Sequence, residues 1–334
     1  MQNLLFTLNA ILPILLPVLL GYFLKKIKFF DDETFVKINK LVFKVLIPVL
    51  LFSNLYMADL SDIDWPFVLF SAGAILVLFG LGLIIALFIK DKKQKGVILQ
   101  AAFRSNYAII GIPLATMLGG ESARAAASVV AAITVPMFNI LAVIALSIYD
   151  HEDDVKVSIK DVLKKIITNP LIIGVIAGLV FCLIGMGINA LGGNMQSFLN
   201  KDNMTGAAAF IPKTISSIAN LATPLALLVL GGRFEFKAIK SLWKQLTVSV
   251  SIRLVVTPLV FLTIAYFLGF NSATEFAILI ALFATPIAVS SVPMALQMKQ
   301  DDELAGQIVV WTSALSAITL FIIIFICSSI GIFA

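Results

Sequence analysis

Gln100-Ala101-Ala102-Phe103-Arg104-Ser105-Asn106-Tyr107-Ala108-Ile109-Ile110-Gly111-Ile112-Pro113-Leu114 reads as part of a membrane-spanning helix that cannot run straight. Gly111 and Pro113 fall mid-run, and an arginine and an asparagine precede them. Proline lacks an N–H and its ring clashes with the carbonyl four residues back, so the helix is expected to break there. Backbone freed at membrane depth is tolerated only where protein or a watery cavity satisfies it. A second stretch, Phe283-Ala284-Thr285-Pro286-Ile287-Ala288-Val289-Ser290-Ser291-Val292-Pro293-Met294, has the same character: Pro286 and Pro293 bracket small and hydroxyl residues. Phe103 and Pro113 align with Phe283 and Pro293 at a constant offset of 180 residues.

The rest of the chain agrees with a membrane setting. Of its 334 residues 60% are hydrophobic and only 13% charged, and the mean hydropathy is +1.05. A soluble domain is about a quarter charged, and this chain has too little polar surface to cover a soluble core. A spanning helix needs roughly 20 apolar residues. Ten such spans are expected, at roughly 4–24, 37–57, 66–89, 96–118, 123–148, 169–188, 208–230, 244–268, 274–297 and 304–331. They are numbered 1 to 10 below. The first run has no basic segment before it and is read as a retained helix. Cys182 and Cys327 both sit in apolar runs, where a disulfide is not expected, and with His151 they are too few for a zinc site.

The fold expected is an all-α integral membrane protein of two inverted five-helix repeats. Residues 1–150 form the first repeat, 151–168 a cytosolic connector and 169–334 the second. Pro17-Val18-Leu19-Leu20-Gly21 of span 1 matches Pro170-Leu171-Ile172-Ile173-Gly174 of span 6, and Pro48 of span 2 pairs with Pro224 of span 7. Val129-Val130 falls on Val309-Val310 at the same offset of 180. Five spans per repeat is odd, so the second copy enters the membrane from the opposite side. Equivalent interruptions in two such halves point to a transport site.

Charge sets orientation and the sign of the cargo. Alternate loops hold 18 of the 24 lysines and arginines and the opposite loops three, which puts both termini on the non-cytosolic side of a plasma membrane. The connector mixes lysines and acids with Val155, Val157, Ile159, Val162 and Leu163, so part of it is expected to be an amphipathic surface helix; His151 there reads as a solvated residue. All 19 acids lie in loops or near span ends. Three bases do not: Lys44, Arg104 and Arg253 lie roughly 10–15 Å in from the cytosolic ends. A charge at the bilayer centre costs at least about 2.5–3.5 kcal/mol and so faces a cavity or a partner. With no buried acid to pair with, the natural partner is an organic anion. Lys44 has a snorkelling alternative, and Arg253 has the alternative of binding backbone carbonyls at a break. Both remain candidates for attracting or gating an anion.

The residues also bear a family likeness. Ser105-Asn106-Tyr107-Ala108-Ile109-Ile110-Gly111-Ile112-Pro113-Leu114 resembles the span 4 motif of the auxin efflux carrier family. Thr223-Pro224-Leu225-Ala226-Leu227, followed by Gly231-Gly232, resembles that family's span 7, and the likeness extends over essentially the whole chain. It implies a bile-acid-symporter-like fold, a dimerising scaffold of spans 1, 2, 6 and 7, and a transport unit of spans 3–5 and 8–10. Spans 4 and 9 would cross at the substrate, and movement would be elevator-like. It further implies a carboxylate cargo, as in bacterial malate and malonate permeases and plant exporters of indole-3-acetate. Asn106 carries over as the polar contact, and Gly111 and Pro113 as the break. The seven-residue interval from Pro286 to Pro293 departs from the plant pattern.

The reading is a carrier of small organic carboxylates, with malate-like acids ahead of auxin-like ones. Substrate contacts are expected from Arg104, Ser105, Asn106, Tyr107, Gly111 and Pro113, and from Thr285, Pro286, Ser290, Ser291 and Pro293. Partners are the anion, the bilayer and a second copy of the chain, with no nucleic acid. No cofactor is expected. Coupling has three routes: a proton on the substrate, sodium held by carbonyls and hydroxyls, or the membrane potential alone. A membrane enzyme would need a reactive cluster at membrane depth, which the sequence lacks. A lipid- or sterol-sensing protein on the same fold is the remaining alternative.

Overall fold

The computed structural model describes residues 16–56, 64–149, 164, 167–190, 210–234 and 238–333. Among them every regular element is helical. Seven helices are long and apolar enough to cross a membrane: Trp65–Leu87, Lys92–Gly120, Ser122–Ile148, Pro170–Ile188, Phe210–Arg233, Lys240–Phe267 and Asp302–Ser329. These are spans 3 to 8 and 10. Span 1 is helical over 16–26, where its description begins. Span 2 runs as Asp32–Leu41, a π turn at Val42–Leu46, and Ile47–Leu55. Span 9 is two pieces, Ala273–Phe283 and Ser291–Gln297. The expected amphipathic connector, with His151, lies outside the described residues except at 164, 167 and 168.

Several lysines expected in loops lie on helices. Lys37 and Lys40 sit within Asp32–Leu41, and Lys92, Lys93 and Lys95 open span 4. The cause is N-capping, which extends a helix outward beyond its apolar run. The Asp31 carboxylate accepts from the Thr34 amide, Asp64 from Phe67, Asp91 from Lys93 and Asp301 from Leu304. Ser272 and Glu275 close a capping box at the start of span 9. Much of the acid inventory is therefore spent at helix starts, away from membrane depth.

Three prolines share one accommodation. π turns at Val42–Leu46, Tyr107–Gly111 and Ile252–Val256 each end two residues before a proline: Pro48, Pro113 and Pro258. In each, the residue just before the proline donates five residues back: Ile47 to Val42, Ile112 to Tyr107, Thr257 to Ile252. The wider turn relieves the clash between the proline ring and the preceding turn, and the chain continues as helix.

Packing sorts the spans into two sets. Spans 1 and 7 approach backbone to backbone, because a Cβ at Gly21 would collide with the Leu228 carbonyl and one at Gly231 with the Val18 carbonyl. Spans 6 and 2 do the same, with Gly174 against Pro48 and Gly178 against Phe52 and Leu55. Gly21 and Gly174 are the two glycines that the repeat alignment pairs. The second set is spans 3, 4, 5, 8, 9 and 10, in which span 3 packs on 4, 9 on 4 and 5, and 8 on 10. Spans 4 and 5 join at Gly120, whose φ of 71° is open to glycine at little cost. Contacts between the two sets are fewer, and the candidate site lies there.

Candidate functional site

Span 4 does break, but not at Gly111 and Pro113. The first half-helix, Lys92–Phe103, ends on Arg104, whose amide donates to the Gln100 carbonyl while its own backbone turns extended. Arg104, Ser105 and Asn106 are non-helical. Pro113 lies in the first α-helical turn of the second half, after the π turn Tyr107–Gly111 that accommodates its ring. Gly111 has a packing role: a Cβ there would lie 2.8 Å from the Tyr107 ring and 3.0 Å from the Ala281 carbonyl. Span 9 breaks over 284–290, so Pro286 lies in the gap as expected, and Pro293 again lies in the first turn that follows.

The two breaks are bonded to each other. The Asn106 amide donates to the Pro286 carbonyl at 2.9 Å. The Ser105 and Thr285 hydroxyls lie 2.7 Å apart, and Thr285 donates onward to the Ala281 carbonyl, which leaves Ser105 as the donor of the pair. Residues 105 and 285, and 106 and 286, are each separated by the 180 residues that relate Pro113 to Pro293.

Arg104 is buried, with 1% of its surface exposed. Its Nη1 donates to Gln100 Oε1 and to Met294 Sδ, and its Nη2 to Asn139 Oδ1 and Ser290 Oγ. All four acceptors are neutral. Its Nε has no partner among the described residues, and neither has Asn106 Nδ2. A buried donor left unpaired costs about 1–3 kcal/mol. Both residues line a cavity of about 60 Å³ between the two sets of spans, walled also by Asn54 of span 2, Asn139 of span 5, Thr223 of span 7 and Ser290 of span 9. Among the described residues no acidic side chain lines it.

Of the residues expected at the site, Arg104, Ser105, Asn106 and Ser290 line this cavity, while Tyr107, Gly111, Pro113, Thr285, Pro286, Ser291 and Pro293 stand behind it. Tyr107 is an anchor whose hydroxyl donates to the Ala127 carbonyl. Lys44 is exposed on the outside of span 2 and does not reach the cavity. Arg253 takes the carbonyl alternative: Nε donates to Thr285 O at 2.8 Å and Nη2 to Leu282 O at 2.9 Å. Pro286, four residues after Leu282, has no N–H to offer that carbonyl, so the guanidinium replaces the missing helix donor. Asn54, Asn139 and Thr223 were not anticipated. The signal for Asn139 was a lone amide within the apolar run of span 5. A larger groove of about 490 Å³ between spans 8 and 10 has outward apolar walls such as Leu259 and Ile322 and no charged or amide side chain, so it does not suit an anion.

The sequence pattern of the membrane transport protein family matches residues 6–324. An uncharacterized transporter of Methanothermobacter thermautotrophicus is 24% identical over 316 residues, which covers 93% of this chain and 95% of that protein. With the match running across both breaks, the cavity and nearly the full length of the chain, this protein belongs to the membrane transport protein family, that of the auxin efflux carriers.

Proposed function

We propose that the protein is a secondary carrier of small organic carboxylate anions. One observation carries the reading. The cavity at the crossing is lined by a buried guanidinium and a buried amide, each with an unpartnered donor, and by no acid. A carboxylate is the acceptor that suits such donors, and charge-assisted bonds of this kind are about twice as strong as neutral ones. The cavity volume of about 60 Å³ favours a small acid over an indole acid, since pockets for drug-sized ligands run to roughly 300–1,000 Å³.

Alternating access would come from the second set of spans moving against the first, with spans 1, 2, 6 and 7 as a scaffold and as the dimer contact. In support, the glycine crossings lock spans 1 to 7 and 2 to 6, while the cavity lies across the boundary. The loop charges support a topology with both termini outside, in a plasma membrane. Without a carboxylate or histidine at membrane depth, coupling falls to a substrate-borne proton, to sodium on carbonyls and hydroxyls, or to the potential.

The test is uptake of labelled malate, malonate and indole-3-acetate into proteoliposomes under imposed sodium, proton and potential gradients. Saturable uptake of the small acids is expected. Transport of cations alone, or of no anion by an active preparation, rules the reading out.

A further inference from the structure

We infer that the site accepts one negative charge per transport event, so that a monocarboxylate enters as its anion and a dicarboxylate only in its singly protonated form. This rests on the carboxylate reading and adds a charge stoichiometry to it.

The argument is a balance of the groups that face the cavity. Arg104 is the one cation among the residues that line it. Other cations near the two breaks or the boundary are committed elsewhere. Arg253 is held by the Leu282 and Thr285 carbonyls, and Arg233 is bonded to Asp302 at 2.8 Å. Lys44 points outward from span 2. The five spans that wall the cavity present Asn54 from span 2, Ser105 and Asn106 from span 4, Asn139 from span 5, Thr223 from span 7 and Ser290 from span 9, all neutral. Among the described residues no lining side chain other than Arg104 is charged, and none titrates near neutral pH.

One carboxylate therefore cancels the one charge, and the low local dielectric strengthens that pairing. A second carboxylate would meet only amides and hydroxyls and would leave a net negative charge at membrane depth. Protonated, the same group suits its surroundings: its O–H can be accepted by an amide oxygen and its carbonyl can accept from an amide or hydroxyl, both of which Asn54 and Thr223 offer among the lining residues. The proton then travels on the cargo, which agrees with the absence of acids from the cavity wall.

The experiment is counterflow of labelled lactate and labelled succinate into proteoliposomes of the intact protein. The pH is equal on both sides and is stepped from about 6 to 8, a range in which lactate is fully ionised and succinate loses its last proton. Lactate reports any effect of pH on the carrier itself. The expected result is level lactate uptake with succinate uptake, at fixed subsaturating total concentration, falling towards tenfold per pH unit as the singly protonated fraction falls, about one decade per unit above its pKa. Lactate uptake with no succinate uptake at any pH overturns the inference for dicarboxylates and leaves the carboxylate reading standing. Succinate uptake that stays level relative to lactate overturns the inference and leaves the carboxylate reading standing. Uptake of neither acid overturns both.

Discussion

Replacing Arg253 by lysine keeps the buried charge and removes the fork. The native guanidinium reaches two carbonyls at once, Thr285 O from Nε at 2.8 Å and Leu282 O from Nη2 at 2.9 Å. An ammonium is a point charge on a flexible stem and cannot span both in that fixed geometry. One hydrogen bond to a charged group is then lost, about 1.5–3 kcal/mol. Water does not compensate, because Leu282 and Thr285 are 1% and 0% exposed. An ammonium is also more strongly hydrated than a guanidinium, so its burial adds to the cost rather than offsetting it. Arg253→Lys should therefore unfold about 1.5–3 kcal/mol more easily in detergent, with faster amide exchange around the span 9 break. A double-mutant cycle isolates the cause. In a Pro286→Ala background the restored N–H can serve Leu282 O, so the same substitution should cost at least about 0.5 kcal/mol less. If Arg253→Lys is as stable as the parent, or costs the same in both backgrounds, the guanidinium is not what completes the broken helix.

Three further outcomes are expected. Asn106→Ala should weaken carboxylate binding by roughly 10- to 100-fold, the value of one charge-assisted bond, while thermal unfolding barely shifts, because the bond to Pro286 uses the Asn106 backbone; unchanged affinity removes Asn106 from the site. Gly231→Ala should destabilise by about 1–3 kcal/mol or more, because its Cβ meets the Val18 carbonyl, whereas Gly73→Ala on span 3, with open surroundings, should be neutral or gain a little; equal unfolding of the two variants would refute the close crossing of spans 1 and 7. The Arg233–Asp302 pair joins span 7 to span 10 and is partly exposed, so Arg233→Gln should cost under about 1 kcal/mol. That substitution should still lower the cross-linking of cysteines placed at Leu230 and Gly306, which face each other across the same boundary, and a yield equal to that of the parent would show that the pair does not hold the two sets together.

Seven of the spans were legible because twenty apolar residues in a row have few other uses. The starts of spans 2 and 4 were not, because a cap depends on one side chain folding back on its own amides. Asp31 and Asp91 begin helices several residues before the apolar runs do. The meeting of the two breaks was visible as an offset: Ser105 with Thr285 and Asn106 with Pro286 keep the interval of Pro113 with Pro293. The position of the span 4 break was misread because a proline was taken to break the helix that it sits in. Pro113, like Pro48 and Pro258, is absorbed by the π turn before it. The actual gap, at Arg104 to Asn106, has no residue that disrupts a helix by itself. Asn139 stayed hidden because only the tertiary fold brings it to Arg104, 35 residues away.

The three intramembrane bases show why a charge count assigns a sign to the cargo but not a residue to the site. Lys44 and Arg253 lie within π turns and Arg104 within a break, so all three occur where the backbone leaves the α-helix. What separates them is the partner that each backbone irregularity leaves over. Beside Arg253 is the carbonyl that Pro286 orphans, and the guanidinium is held there through Nε and Nη2, away from the cavity lining. Beside Lys44 is the outer face of span 2, where the ammonium is exposed. Arg104 meets four neutral acceptors, none carrying a charge to cancel its own, and keeps one donor in reserve. An arginine engaged in this way is already oriented, so binding an anion requires little reorganisation of the side chain. The same network keeps Arg104 from bonding span 2 or span 7, so the cation stays with spans 4, 5 and 9. If those spans move as a unit, the charge that recognises the substrate moves with it.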